Sequence, residues 1–276
     1  MKLTVLVDNN TLIDRYFLAE PALCFHIKDG ETNLLLDVGY SNIFLTNAQK
    51  MKVDLSVLDY IAISHGHLDH TWGFDPFIKY FTELSIENIP HKKPAILAHP
   101  KTFSSVSFPG IAEFGSIISE EKLGRHFELS LKREPQWITD RMVFLGEIPR
   151  VNDFESSETF GRKEGELEND LVPEDSALVY KSEKGLVIIT GCSHSGICNI
   201  IDYARKVCKE EIVYDIVGGL HLQNPSEKQM NGTLEYISRL GVDSIHACHC
   251  TDLKSKVRLS NVTDVKEVGV GLVLEY

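Results

Sequence analysis

Residues 64–70 read Ser-His-Gly-His-Leu-Asp-His and place three histidines and one aspartate directly after a short apolar run. On an extended segment, side chains two residues apart point the same way, so His65 and His67 can bind one ion together. Asp69 and His70 follow as the chain turns and can reach a second ion nearby. Imidazole and carboxylate ligands suit zinc, iron or manganese. The pattern predicts a metal site, and a chance run of surface histidines is the alternative.

The composition and net charge of the chain limit the kinds of molecule that it is expected to bind. Apolar residues make up 43% of the chain and charged residues 25%, which is typical of a globular protein with a substantial core. The net charge of −12 disfavours nucleic-acid binding, which depends on clustered lysines and arginines. The sequence contains neither a membrane-spanning apolar run nor a secretory signal pattern. We therefore expect a cytoplasmic protein with a small-molecule substrate and no nucleic-acid or membrane partner. The sequence leaves the oligomeric state unknown.

Cysteine spacing is also informative. The chain has six cysteines and no CxxC pair, which weakens the prediction of a zinc ribbon or a cysteine-rich iron–sulfur site. A large acidic chain without a signal favours reduced thiols over disulfides. The cysteines are Cys24, Cys192, Cys198, Cys208, Cys248 and Cys250.

The apolar pattern suggests two similar halves. Strands are predicted at residues 3–7, 22–27, 33–36, 58–63 and 96–98, and again at 177–180, 186–189, 212–217 and 244–247. Helices are predicted at residues 197–210 and 227–240. Asp29-Gly30 marks a hairpin turn in the first half, and residues 182–185 mark one in the second. This plan fits a two-sheet sandwich with outer helices better than a doubly wound nucleotide-binding fold, since neither phosphate-loop pattern is present. We expect one domain over residues 1–276.

An acid-rich polar segment lies between the halves, at residues 147–175. Charged segments of this kind are usually solvated connections. Long irregular segments in compact domains are also often functional, so a mobile lid beside the active site is the second interpretation.

The histidine-rich run resembles the HxHxDH signature of the metallo-β-lactamase superfamily. Asp37-Val38-Gly39 resembles the aspartate–glycine element of that family, in which the aspartate supports the metal loop without binding metal. Three later motifs are similar to the branch named for dihydropterin ribofuranosyl-aminobenzene phosphate synthase, namely residues 190–196, 218–222 and 248–251. The resemblance implies an α/β fold, the αβ/βα four-layer sandwich, with two divalent metal ions at one edge of the sheets.

Two departures from the family pattern affect the second half. Members usually supply a third histidine before the second-half hairpin and an aspartate in a TGD-type turn. Here Glu174 and Asp175 stand at the first position and Cys192 at the second. We infer that His194 acts as the replacement ligand, with Cys192 as a further candidate, although His194 could instead cap the following helix. His249 matches the last histidine ligand. The expected metal ligands are His65, His67, Asp69, His70, His194 and His249.

The resemblance implies a metal-dependent hydrolase that uses a metal-activated hydroxide. The expected substrate is a small ester, with a phosphodiester or a pterin-related phosphate compound favoured over lactones and thioesters. Asp69 is expected to orient the hydroxide as well as bind an ion. His221 is expected to protonate the leaving group or hold a substrate oxygen, whether or not it touches metal. An anionic substrate group could be held by basic residues that are otherwise simply solvated, namely Lys101, Arg150 and Arg162.

Two other functions stay open. Flavin-linked diiron relatives use the same fold for redox chemistry but replace the second histidine of the motif with glutamate, whereas this chain has His67. The cysteines keep an iron–sulfur protein possible. A non-catalytic protein that uses the metal site as a sensor or scaffold is the third interpretation.

Overall fold

The computed structural model describes residues 1–276, with sixteen strands and seven α-helices. The strands are β1 (Lys2–Val7), β2 (Cys24–Asp29), β3 (Thr32–Leu36), β4 (Tyr60–Ala62), β5 (Ala95–Ala98), β6 (Val106–Ser107), β7 (Glu128–Leu131), β8 (Gln136–Trp137), β9 (Met142–Phe144), β10 (Arg162–Lys163), β11 (Ala177–Ser182), β12 (Gly185–Thr190), β13 (Val213–Gly219), β14 (Ser244–Cys248), β15 (Asp264–Val265) and β16 (Val273–Glu275). The helices are α1 (Ile43–Met51), α2 (Leu68–Thr71), α3 (Phe74–Ile86), α4 (Glu120–His126), α5 (Ile197–Cys208), α6 (Glu227–Leu240) and α7 (Leu253–Leu259).

The strands form two seven-stranded sheets with the same internal plan. Strand order is β16-β1-β2-β3-β4-β5-β7 in the first sheet and β15-β14-β13-β12-β11-β9-β8 in the second. Each sheet joins an antiparallel set, which contains the hairpin, to a parallel set. Strands β6 and β10 form a separate two-stranded ribbon. The two-half plan predicted from the sequence is therefore present.

Side chains that alternate along the strands divide the apolar core into three clusters. In β3, Leu34 and Leu36 point between the two sheets, whereas Leu35 points towards the outer helices. In β12, Val187 and Ile189 join the same inter-sheet cluster. One further cluster lies between the first sheet and α1, α3 and α4, and another between the second sheet and α5, α6 and α7. Three apolar interfaces separate four layers, so the fold is the predicted αβ/βα sandwich.

Most predicted elements are present, with shifted ends. Helix α5 ends at Cys208 rather than residue 210, because Lys209 adopts the left-handed conformation that closes a helix. Strand β4 covers only three residues of the predicted run 58–63. Strand β13 extends two residues beyond the prediction to Gly219, because it is paired on both sides by β12 and β14. None of the helices is both long and apolar enough to span a membrane.

The segment at residues 147–175 is irregular apart from β10. Several of its ionisable side chains are buried, among them Glu155, Lys163 and Asp170. Lys163 forms ion pairs with Asp170 and, at 2.8 Å, with Glu174. Glu155 also accepts a hydrogen bond from the Cys198 amide of α5 at 2.8 Å. The interpretation as a solvated connection is therefore wrong for this part of the segment, because a buried carboxylate fixes it against α5.

Candidate metal centre

The predicted site residues meet where strands of both sheets end. Strand β4 leads into residues 64–70, and β12 leads into the turn at 191–196. Strand β13 ends two residues before His221, and strand β14 ends one residue before His249. Carboxyl ends of parallel strands open at the same edge of a sheet, so loops from both sheets come together at one edge of the sandwich.

The first histidine cluster consists of His65, His67 and His194. Their donor atoms all lie within 4.8 Å of one another, and all three residues are buried. His65 Nε2 lies 3.1 Å from His67 Nδ1, and the ring centre of His194 lies 4.7 Å from both other rings. His67 Nε2 and both ring nitrogens of His194 have no hydrogen-bond partner. A helix-capping role for His194 is not observed, since neither of its nitrogens contacts the backbone.

Burial keeps this cluster neutral. Burial lowers the pKa of His67 to about 3, against the opposing effect of Asp69. Burial also lowers the pKa of His65 and His194 well below the usual histidine value, and the neighbouring histidines add to this effect. Neutral imidazoles have free lone pairs at neutral pH, which is the form that binds metal ions.

The second cluster consists of Asp69, His70 and His249. Their donor atoms also lie within 4.8 Å of one another. His249 Nε2 lies 3.2 Å from His70 Nε2 and 3.3 Å from Asp69 Oδ2. Asp69 retains 23% exposure of its side chain, whereas the His70 side chain is fully buried. The two clusters are adjacent, because the ring centres of His65 and His70 are 4.1 Å apart.

Carboxylates give the second cluster the opposite electrostatic character. Burial acts to lower the pKa of His70, but Asp69 and Asp37 raise it to about 10. Burial also acts to lower the pKa of His249, but the hydrogen bond with Asp69 outweighs it, so the pKa of His249 is raised. This cluster therefore favours a positive charge, and a metal ion that binds there would compete with protonation of the imidazoles.

The residues present fit a pair of divalent cations. Unpartnered nitrogens buried in the first cluster are costly unless something binds them, and a cation supplies that partner. The second cluster offers one carboxylate and two imidazoles around a position that already favours positive charge. Histidine and carboxylate donors of this kind are suitable for zinc, iron or manganese. All six predicted ligands are brought together, three in each cluster.

Asp37 is a buried hub beneath the metal loop. Its carboxylate accepts hydrogen bonds from the Ser64 amide at 2.7 Å and from the Ser64 hydroxyl at 2.8 Å. It also lies 2.7 Å from His70 Nδ1 and so directs Nε2 of that ring towards the second cluster. Such carboxylate–histidine pairs fix the orientation and tautomer of a metal-binding imidazole. Asp37 belongs to neither ligand group.

The second half has its own supports, which the sequence reasoning did not identify. Asp175 accepts hydrogen bonds from the Ser195 amide at 2.9 Å and its hydroxyl at 2.5 Å, which positions the turn that carries His194. Asp8 accepts the His249 amide at 3.0 Å. Asn9 Oδ1 lies 3.3 Å from His249 Nδ1. Asp8 follows β1 and Asp175 precedes β11, so only the fold brings these carboxylates close to the site.

Aromatic side chains border the first cluster. The Phe160 ring centre lies 4.5 Å from that of His194 and 5.2 Å from that of His221. The Phe114 ring centre lies 4.7 Å from that of His67. His221 lies 4.4 Å from His194 by ring centres and is part of neither cluster. His221, whose side chain is 20% exposed, therefore stands at the rim of the first cluster. The Phe160 and Phe114 contacts were not predicted.

Two of the three basic candidates have other partners. Arg150 donates hydrogen bonds to the carbonyls of Leu171 at 2.5 Å and Val172 at 2.9 Å, so its role is to hold the backbone of residues 147–175. Lys101 forms a 2.6 Å ion pair with Glu166. Arg162 is exposed on β10. The expectation that Arg150 holds an anionic substrate group is wrong, because its guanidinium is engaged with these carbonyls.

Comparison with known proteins agrees with this geometry. The profile of the metallo-beta-lactamase superfamily matches residues 19–205. The chain belongs to this superfamily. The crystal structure of Tm1679, described as a metal-dependent hydrolase of the beta-lactamase superfamily, superimposes with a TM-score of 0.82 at 26% identity and covers 100% of this chain and 99% of that one.

Two archaeal relatives narrow the position within the superfamily. A 7,8-dihydropterin-6-methyl-4-(beta-D-ribofuranosyl)-aminobenzene-5'-phosphate synthase of Methanocaldococcus jannaschii is 32% identical over 79% of this chain and 74% of its own length. An uncharacterized protein of the same organism is 29% identical over 98% of both chains. The resemblance to the dihydropterin synthase branch of the metallo-β-lactamase superfamily is thereby confirmed.

Proposed function

We propose that this metallo-β-lactamase-fold protein is a dinuclear metal-dependent hydrolase of a small phosphate ester. The observation that supports it most is the pair of adjacent three-residue clusters at one sheet edge. The superfamily membership and the metal-dependent hydrolase among its structural neighbours support the same class. The relative named as a dihydropterin phosphate synthase makes a phosphodiester or a pterin-related phosphate the substrate class to test first.

His65, His67 and His194 would hold one ion, and Asp69, His70 and His249 the other. When bound, two such ions supply Lewis acidity that lowers the pKa of water and stabilises negative charge on oxygen. Asp69 is suited to orienting the attacking water, because its carboxylate contacts both His70 and His249 and is also partly exposed to solvent. His221 is suited to protonating the leaving group or holding a substrate oxygen, since it stands at the rim beside His194.

The test combines elemental analysis with a substrate panel that contains a phosphodiester, a phosphomonoester, a lactone and a thioester. We expect bound divalent metal, turnover highest with the phosphodiester, and loss of turnover after chelation. His67→Ala should lose metal and turnover together while its circular dichroism spectrum stays unchanged. His126→Ala is the control, because His126 is exposed on α4. A His67→Ala variant that keeps full metal content and full turnover would contradict the role of His67 as a metal ligand.

We also propose that residues 147–175 cover the active site within one domain that spans residues 1–276. Phe160 approaches both His194 and His221, and the buried Glu155 of the same segment accepts a hydrogen bond from the Cys198 amide of α5 at 2.8 Å. A fixed aromatic ring beside the rim gives an apolar surface against which part of a substrate can pack.

Phe160→Ala should therefore raise KM with a smaller change in kcat, because it removes a binding contact that persists through the reaction. Leu167→Ala is the matched control, since Leu167 lies in the same segment and is 91% exposed. Identical kinetic constants for Phe160→Ala and the wild type would show that the segment does not contact substrate.

A further inference from the structure

Two cysteines reach the candidate metal centre from different strands. Cys192 lies in the turn after β12, and Cys250 lies two residues after β14. Cys192 Sγ is 3.3 Å from His70 Nε2 and within 4.8 Å of the donor atom of His65, so it stands between the two clusters. Cys250 Sγ lies within 4.8 Å of the donor atoms of both Cys192 and His249. Neither thiol is disulfide-bonded.

The surroundings of these thiols differ from those of the other four cysteines. Cys24, Cys198, Cys208 and Cys248 each belong to one of the three apolar clusters of the core. Cys192 and Cys250 belong to none of them. A buried cysteine most often serves as a small apolar side chain. That account suits the four core cysteines, but it does not suit two thiols placed among imidazoles.

The backbone leaves space for the Cys250 sulfur and directs a donor towards it. A Cβ atom on Gly219 would lie 2.6 Å from Cys250 Sγ, so the glycine is required for the sulfur to occupy its position. The His221 amide donates a hydrogen bond to the same sulfur at 3.3 Å, and the Cys250 thiol donates one to the Cys192 carbonyl at 3.4 Å. Backbone groups on two sides therefore hold the Cys250 sulfur in place beside His249.

The conformation of His249 explains how neighbouring residues reach one centre. Successive side chains of a strand point to opposite faces. His249 has a φ of 53°, in the left-handed region that non-glycine residues seldom adopt. The strand alternation is broken there, and both His249 and Cys250 reach the same group of donor atoms. Backbone strain retained at a ligand position is a feature of functional sites.

We propose that Cys192 and Cys250 bind metal through sulfur at the second cluster, which makes it a mixed nitrogen, oxygen and sulfur site. This inference rests on the proposed metal centre and adds two ligands to it. Each thiol would release its proton to solvent as it binds the ion. Thiolate ligands favour zinc or iron over manganese, whereas carboxylate and water ligands suit manganese. The sulfur pair would therefore narrow the identity of the metal.

X-ray absorption spectroscopy of the zinc-loaded protein tests the proposal without an activity readout. Zinc–sulfur scattering is expected at about 2.3 Å beside nitrogen and oxygen scattering at about 2.0–2.1 Å. Cys192→Ser and Cys250→Ser should each lower the sulfur contribution, and the double variant should abolish it. Cys208→Ser is the matched control and should leave the spectrum unchanged, because Cys208 lies in the helix-facing core.

Three results would overturn the proposal: a metal-replete wild type without a sulfur shell, an unchanged sulfur shell in the double variant, or a disulfide between Cys192 and Cys250 in the metal-loaded protein. The wild-type spectrum decides even if a serine variant fails to fold. Elemental analysis of the same samples separates the two proposals. Bound zinc without sulfur scattering contradicts only the sulfur ligands, whereas absence of bound zinc contradicts the metal centre itself.

Discussion

Several residues that are not candidate ligands position the candidate site through hydrogen bonds to the ligands or to the residues beside them. Asp37 accepts two hydrogen bonds from Ser64 and contacts His70, and so links the start of the metal loop to its last ligand. Asp37 itself has a φ of 58°, a strained value for an aspartate. The cost of that conformation is offset by three short contacts that all serve to position the loop.

Asp37→Asn should therefore weaken metal binding by about 10–100-fold, as is typical for partners of metal-binding histidines. The asparagine retains the size of the side chain but replaces one acceptor oxygen with a donor, and it removes the negative charge beside His70. Competition with a chelator of known affinity measures the effect. Asp215→Asn is the control, since Asp215 is also buried and contacts His246 at 2.9 Å rather than a candidate ligand. Equal losses of affinity in both variants would contradict a specific role for Asp37.

The six candidate ligands could be selected from the sequence because they lie in motifs with recognisable spacing or flanking glycines. The supporting residues could not. Asp8, Asn9 and Asp175 are separated from the ligands they hold by as many as 241 residues along the chain, as for Asp8 and His249. Cys250 was visible beside His249, but its approach to Cys192 depends on the left-handed conformation of His249. Sequence alone gives no sign of that conformation.

The two turns that carry the candidate ligands are packed directly against each other. Gly191 begins the turn after β12, and a Cβ atom at this position would lie 2.0 Å from Ser64 Oγ. The same atom would lie 2.9 Å from Asp37 Oδ2. Only a glycine allows the turn of the second sheet to approach the metal loop of the first sheet so closely.

Gly191→Ala should lower the free energy of unfolding by about 1–3 kcal/mol, the usual cost of overpacking a well-packed core. The midpoint of urea unfolding measures the change. Gly124→Ala is the control, since its Cβ would find its nearest neighbour at 3.4 Å and Gly124 lies within α4. This control should be neutral or stabilising, because alanine is favoured over glycine in a helix by about 1 kcal/mol. A Gly191→Ala variant as stable as the wild type would show that the two turns can separate without cost.

The main strands of both sheets were predictable because they are short apolar runs between turn signals, and the helices at residues 227–240 and near 197–210 because their apolar residues recur at helical spacing. Other elements were not. Helix α3 carries its apolar residues at helical spacing, but no helix was predicted at these residues. Strands β8 and β15 each cover two residues, and their pairing depends on neighbouring strands already in place.

The whole molecule unites its two halves through shared apolar packing. The inter-sheet cluster takes Phe25 and Leu34 from the first sheet and Phe144 and Ile189 from the second. The strand β16, near residue 276, pairs with β1 in the first sheet. Tyr276 also donates a 2.6 Å hydrogen bond to Asp215 of the second sheet. Neither half can bury its inner sheet face alone.

The two tryptophans offer one reporter in each half. Trp72 precedes α3 in the first half, and Trp137 lies on β8 in the second sheet. Trp137→Phe and Trp72→Phe variants would each retain a single fluorescent probe. We expect both probes and the far-ultraviolet circular dichroism to report the same urea midpoint, because the sheets share one core. Separate midpoints for the two probes would contradict a single domain.

The central claim is that two adjacent clusters form one dinuclear catalytic centre. Its most direct test is a zinc titration of the chelator-treated protein, in which protein-bound zinc and phosphodiester turnover are measured on the same samples. Turnover should be lost after chelation and should rise to a plateau when two zinc ions are bound per chain, since each cluster supplies three candidate ligands. Turnover that survives complete removal of metal, or a plateau reached with one zinc ion bound per chain, would contradict the claim.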